Sequence, residues 1–110
     1  MGNLAGLPPL GQKARKERGT AACKAHMAKV AALRCVCCLR PGPSEVHHVI
    51  HGRFSQAKAS DFETIPLCYE CHRGPNGLHA NKTLWADRNG FDWEFLPLVA
   101  DMLAGEFNAP

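Results

Sequence analysis

Two Cys-x-x-Cys pairs, Cys35/Cys38 and Cys68/Cys71, bracket the run Glu45-Val46-His47-His48-Val49-Ile50, and the second pair runs directly into His72. Thiolates in two closely spaced pairs suit tetrahedral Zn²⁺, because each turn offers two sulfurs to one ion and the two turns clamp it from opposite sides. The pairs are separated by 29 residues, more than the roughly 15 to 20 of a common zinc ribbon. A structured element is therefore expected inside the loop, carrying the paired histidines. Imidazole titrates near neutrality and is also a metal ligand, so the pattern points to a metal-organised catalytic site beside a structural zinc.

Six cysteines in a short chain also fit the disulfide framework of a secreted domain. Met1 to Leu10 lack the basic start and apolar run of a secretory signal, and no stretch has the length and hydropathy to cross a membrane. Gly6 stands where the myristoylation motif needs Ser or Thr. Zinc in a cytoplasmic protein with no membrane partner is the expectation, leaving Cys23 and Cys37 as spare thiols. A thiol redox role is disfavoured, since no βαβ pattern accompanies the Cys-x-x-Cys pairs.

At 110 residues and 45% hydrophobic composition, the chain can build one domain with a modest core, which a structural zinc would reinforce. The net charge of +3 is unevenly spread: residues 1–34 carry seven Lys/Arg against Glu17, whereas the part beyond Asn81 is acidic. The basic end, with Lys13, Arg15, Lys16 and Arg18, is the expected polyanion contact. Residues 1–19 read as a flexible basic arm and residues 20–110 as a single domain.

Several elements must position the chemistry. Thr20 reads as the N-cap of an Ala-rich helix from Ala21 to Arg34, with Cys23, Met27, Val30 and Leu33 on one stripe. His26 on that helix has no ligand partner at a clear spacing. After the turn Arg40-Pro41-Gly42-Pro43, the β-branched residues of Glu45 to Ile50 predict a strand, on which His47 and His48 face opposite sides. His51 to Glu63 reads as a loop, and Thr64-Ile65-Pro66-Leu67 as a short edge strand. Cys68 to His72 should turn from a knuckle into a helix that Gly74-Pro75-Asn76-Gly77 breaks early. Leu78 to Arg88 is expected to resume as helix. Phe91 to Leu103 reads as a final apolar helix that Pro97 starts or kinks, its aromatics serving the core because acidic neighbours repel phosphate.

Strand, loop, strand, knuckle and helix, with Glu45-Val46-His47-His48 and Ile65-Pro66-Leu67-Cys68-Tyr69-Glu70-Cys71-His72, resembles the HNH endonuclease family over roughly Cys35 to His79. The strings His47-His48-Val49-Ile50-His51-Gly52-Arg53, Lys58-Ala59-Ser60-Asp61-Phe62 and Thr64-Ile65-Pro66-Leu67-Cys68 are similar to the phage recombination enhancement function nucleases. The resemblance implies an α+β, zinc-stabilised ββα-metal domain with flanking helices, and a DNA endonuclease associated with RecA filaments in phage recombination. It implies His48 as general base, with His47 and His72 holding a catalytic divalent ion, Mg²⁺ first and a transition metal as the alternative. His79 is a further catalytic candidate, ranked behind His72 because seven residues and a Gly-Pro-Asn-Gly break separate them. The family's middle Asn falls at about Glu63, so the residue that orients the base is unassigned, with Asp61 or a backbone carbonyl as candidates. Arg53 and Lys58 would hold the DNA backbone without reading sequence. His51 reads as a loop histidine near phosphate. The rival reading is a non-catalytic zinc module that binds DNA or protein, for which the four cysteines alone would suffice.

Overall fold

The computed structural model describes residues 18–52 and 59–105. Lys13, Arg15 and Lys16 of the basic arm, together with Arg53 and Lys58, lie outside the described residues. The described chain is α+β, with a two-stranded antiparallel sheet and four short helices.

Helix α1 (Ala21–Ala31) begins where Thr20 Oγ1 accepts the Cys23 N–H at 3.1 Å. It stops three residues before the expected end at Arg34, where the Ser44 N–H takes the Ala31 carbonyl at 2.8 Å and the Ser44 hydroxyl donates to the Leu33 carbonyl at 2.7 Å. Cys23, Val30 and Leu33 of the expected stripe are buried, while Met27 stays half-exposed.

Strands β1 (Glu45–His48) and β2 (Thr64–Leu67) pair with Glu45 opposite Leu67 and His48 opposite Thr64. β2 is buried along its whole length, and Pro66 has no N–H to give, but its carbonyl accepts the Val36 N–H at 2.9 Å. That bond docks the first cysteine turn on the sheet. Strand alternation puts Glu45 and His47 on one face of β1, and Val46 and His48 on the other.

Helix α2 (Tyr69–His72) is a single turn following Cys68. The next segment folds back on it: the Leu78 N–H reaches the Cys71 carbonyl at 2.9 Å, and the His79 N–H the His72 carbonyl at 3.0 Å. Glycine is required in this return. A Cβ on Gly77 would stand 2.8 to 2.9 Å from the backbone of His72, Arg73 and Glu70, and one on Gly74 would meet Glu70 as closely.

Helix α3 (Lys82–Asn89) starts later than the expected Leu78, because the return turn occupies that stretch and Asn81 supplies the cap, its Oδ1 accepting the Leu84 N–H at 2.9 Å. A 3₁₀ turn (Asp92–Phe95) leads into α4 (Leu96–Leu103), with Pro97 in its first turn as expected. Ile65, Leu67, Leu78, Trp85, Val99 and Met102 close the core, each contributing about 1.5–3 kcal/mol by leaving water. Phe91 and Trp93, expected in the core, are instead 45% and 46% exposed. The tight turn buries Asp92 between them.

Gly77→Ala should cost about 1–3 kcal/mol, the usual penalty for overpacking, because the Cβ meets backbone that cannot rotate away. Urea unfolding of the zinc-loaded protein checks this.

Candidate metal centre

The Sγ atoms of Cys35, Cys38, Cys68 and Cys71 lie within 4.8 Å of one another. The Cys38 to Cys68 sulfur separation is 3.7 Å, close to the edge of about 3.8 Å expected for a tetrahedron with Zn–S bonds of about 2.3 Å. None of the six cysteines forms a disulfide. The first turn is shaped by the Leu39 N–H to the Cys35 carbonyl at 2.8 Å and by the Cys38 N–H to Cys35 Sγ at 3.4 Å. Leu39 takes φ +66 to close it. In the second turn Cys68 sits at the N-cap of α2, with Cys71 inside that turn.

The thiols respond unequally to being crowded. Burial pushes Cys35 up, but the backbone N–H groups of Cys38, Cys68 and Cys37 outweigh it and leave the thiol lowered. Burial and the neighbouring Cys35 and Cys37 push Cys71 up. Burial is also the main cause of the upward shifts of Cys38 and Cys37. Four thiolates this close repel, and a divalent cation is what lets them ionise together. The four cysteines therefore can hold a structural metal ion, and the donor set suits zinc.

A second cluster joins His47, His72 and His79, whose ligand nitrogens also lie within 4.8 Å. His47 Nδ1 is 3.2 Å from His72 Nε2, and His79 Nε2 is 3.1 Å from the same atom. Both values approach the edge of about 3.3 Å expected for nitrogens about 2.0 Å from one ion.

Carboxylates set the tautomers. The His47 Nε2–H donates to Asp92 Oδ2 at 2.8 Å, and the His72 Nδ1–H donates to Glu45 Oε1 at 2.7 Å. An ionised carboxylate only accepts, so His47 Nδ1 and His72 Nε2 keep their lone pairs and aim them at each other. Those lone pairs repel across 3.2 Å. A cation seated against the three rings removes the repulsion, and imidazoles backed by carboxylates are the usual way of holding one.

Both carboxylates are themselves held. Arg73 and then His72 bring Glu45 down to about 2, with the Arg73 Nε–H at 3.0 Å. Asp92 is fully buried. Burial would raise its carboxyl, but His47 and the Ile50 and His51 N–H groups, at 2.7 and 3.2 Å, outweigh it and keep the group below the ordinary carboxylate range. Burial lowers His72, a shift only partly offset by Glu45, and burial with the nearby His72 lowers His79. Both rings thus favour the neutral, ligating form.

His48 faces away from this cluster. Its Nε2–H donates to Asp61 Oδ1 at 2.7 Å, and Asp61 Oδ2 accepts the Gly19 N–H at 2.8 Å. His48 and then Gly19 hold the Asp61 carboxyl below its usual value, with Arg18 adding to the effect. Asp61 is therefore the side chain that meets the base candidate.

His79, ranked behind His72 in the sequence, joins the cluster because the glycine turn closes the seven-residue gap. His51 is not a phosphate-facing loop residue. It is buried, its Nδ1 accepts the Asp92 N–H at 2.9 Å, and its Nε2–H donates to the Lys82 carbonyl at 3.0 Å. One ring nitrogen holds the start of the 3₁₀ turn and the other the first residue of α3. Asp92 escaped the sequence reading, where it looked like one acid among several. Of the basic candidates, only Arg18 is among the described residues, half-buried beside Asp61.

Fold and site together define a small α+β domain with two clusters able to hold metal. The chain belongs to the DUF968 family, described as a protein of unknown function, whose pattern matches residues 8–103. No curated protein and no solved structure matches it. No helix among the described residues is long and apolar enough to cross a membrane.

Elemental analysis should find one tightly held zinc that survives His72→Ala, whereas Cys68→Ser should lose it and unfold. Asp92→Asn should weaken metal binding at the histidine cluster about 10- to 100-fold, as loss of a ligand's carboxylate partner usually does, and leave the cysteine-bound zinc in place. Titration with Co²⁺ or Zn²⁺ followed by calorimetry measures both.

Proposed function

We propose that this chain is a metal-dependent DNA endonuclease of the HNH, or ββα-metal, class, hydrolysing phosphodiester bonds by in-line attack of water. The observation that carries the reading is a division of labour between adjacent residues. His47 joins the converging imidazoles, and His48, one position along β1, is held separately by Asp61.

A divalent ion held by His47, His72 and His79 would stabilise the charge developing on the phosphate and on the departing 3′ oxygen. The all-imidazole donor set suits a transition ion better than Mg²⁺, which prefers oxygen ligands. His48 supplies the proton chemistry. With its Nε2–H committed to Asp61, the free lone pair is on Nδ1, and that atom takes the proton of the attacking water. Asp61 fixes this tautomer and stabilises the imidazolium that forms, the part expected of the family's middle Asn.

Arg53, Lys58 and the basic arm hold the strand through its phosphates. DNA within a RecA filament during phage recombination is the substrate setting that the resemblance suggests. The second reading, a zinc module that only binds, is favoured by the closed cysteine cluster, which needs no catalytic role.

His48→Ala should lower cleavage about 10²- to 10⁴-fold, the range for a general base, at unchanged zinc content. Asp61→Asn should lower it less and retain metal affinity. Cleavage of single-stranded and supercoiled DNA, with Mg²⁺, Mn²⁺ or Zn²⁺ and with or without RecA, checks both. DNA binding without cleavage under every condition would establish the binding module.

A further inference from the structure

Phe91 and Trp93 flank the carboxylate that orients His47, and both project outward. Their rings stack with centroids 5.7 Å apart and planes 16° from parallel. They are held rigidly. The Glu94 N–H bonds the Phe91 carbonyl at 3.0 Å, and Glu94 Oε2 accepts the Phe91 N–H at 3.2 Å. Asp92 between them is locked by the bonds to His47, Ile50 and His51. Below the turn, Phe95 packs against Trp85, centroids 6.0 Å apart. Trp93 also lies beside Gly52, where a Cβ would approach its Nε1 to 3.8 Å.

Leaving two aromatic rings in water forfeits burial energy, and unlike the separately exposed Leu39 and Tyr69 this pair is stacked, so that it offers one continuous apolar surface. The acidic neighbours do not oppose an aromatic ligand as they would a phosphate. Asp92 is buried with its charge consumed by three donors, and the Glu94 carboxylate is engaged with backbone. A flat, uncharged π-face fits such a surface.

We infer that Phe91 and Trp93 form a stacking platform for an unpaired nucleobase of the strand whose phosphate lies at the histidine cluster, so that the site prefers single-stranded or unstacked DNA to intact duplex. The inference rests on the nuclease reading and names its substrate class. In a duplex, neighbouring base pairs occupy the faces the platform needs. In a single strand every base has a face available, which makes the contact tolerant of sequence. The platform stands one ring behind the cluster, since Trp93 follows Asp92 directly, Asp92 holds the Nε2 edge of His47 at 2.8 Å and the ring's Nδ1 faces His72; a neighbouring nucleotide of the same strand spans that separation.

The test uses the full chain, zinc-loaded and carrying His48→Ala so that DNA is not cut, titrated with a 15-nucleotide oligothymidine or a duplex of equal length. The chain has two tryptophans, and Trp85 is buried, so base stacking should quench the Trp93 emission. Trp93→Leu should abolish the quench and weaken oligothymidine binding about tenfold, the order of one lost base stack. Duplex affinity should stay unchanged, and Trp93→Phe should recover most of the loss. Equal oligothymidine affinity for wild type, Trp93→Leu and Phe91→Leu would overturn the platform. So would a change from dimer to monomer in Trp93→Leu without change in DNA affinity, which would make the face a protein interface. The two readings fail separately. Quenching in the His48→Ala protein together with no cleavage by the wild-type chain sinks the nuclease and keeps the platform, whereas wild-type cleavage with a strand preference unaltered by Trp93→Leu sinks the platform and keeps the nuclease.

Discussion

The clamp between the two cysteine turns is the constraint on which the rest of this small domain depends. One turn lies between α1 and β1, the other between β2 and α2, so a single ion held by the four sulfurs would tie the ends of the hairpin together. The loop between the pairs runs to 29 residues, and closing a loop of that size in the unfolded chain carries an entropic cost that metal binding would offset. With the clamp formed, the Val36 N–H meets the Pro66 carbonyl, and β2 lies between the first turn and β1. A two-stranded sheet is marginal alone. Here one strand is buried from end to end, because the first cysteine turn and helices α1, α2 and α4 pack against it.

That arrangement makes the histidine cluster a consequence of the second cysteine turn. Cys71 and His72 are adjacent, so fixing the sulfur fixes the start of the ring that follows. Glu45 and His47, two residues apart on β1, share the face that meets His72. One contributes a nitrogen to the cluster, and the other holds the His72 ring in the tautomer that exposes its lone pair. The third ring and the second carboxylate come from farther along the chain. His79 arrives through a turn that admits no Cβ at Gly74 or Gly77, and Asp92 through a buried 3₁₀ turn pinned by His51. The preorganisation therefore draws on β1, α2, the glycine return and the segment before α4.

Much of this was legible in the residues, and the part that was not has a physical reason. The cysteine pairs, the Thr20 cap, strand β2 and the placement of Pro97 follow from local chemistry, which needs only a few neighbouring residues to declare itself. His47 and His48 on opposite faces follow from the period of a strand. His79 has no helical spacing to His72, and only the backbone return through Gly74 and Gly77 brings residues seven apart into register. Asp92 was invisible for a stronger reason. A carboxylate that backs a ligand 45 residues away has no periodic signature, and in an acidic segment it resembles its solvated neighbours. The same segment misled the reading of Phe91 and Trp93, since helical spacing suggested a buried stripe where the turn is 3₁₀.

These two omissions have one origin. In a helix of 3.6 residues per turn Phe91 and Phe95, four apart, would share a side and Trp93 would fall opposite them. The tighter 3₁₀ turn, with about 3 residues per turn, instead puts Asp92 and Phe95 inward together and leaves Phe91 and Trp93 outside. Burying an aspartate in place of a tryptophan is unfavourable by solvation alone. It is sustained because His47, Ile50 and His51 all donate to that carboxylate. The polar group therefore takes the interior position because it serves the histidine, and the exposed rings follow from that choice. Metal-site geometry and the exposed aromatic surface are, on this argument, two faces of one turn.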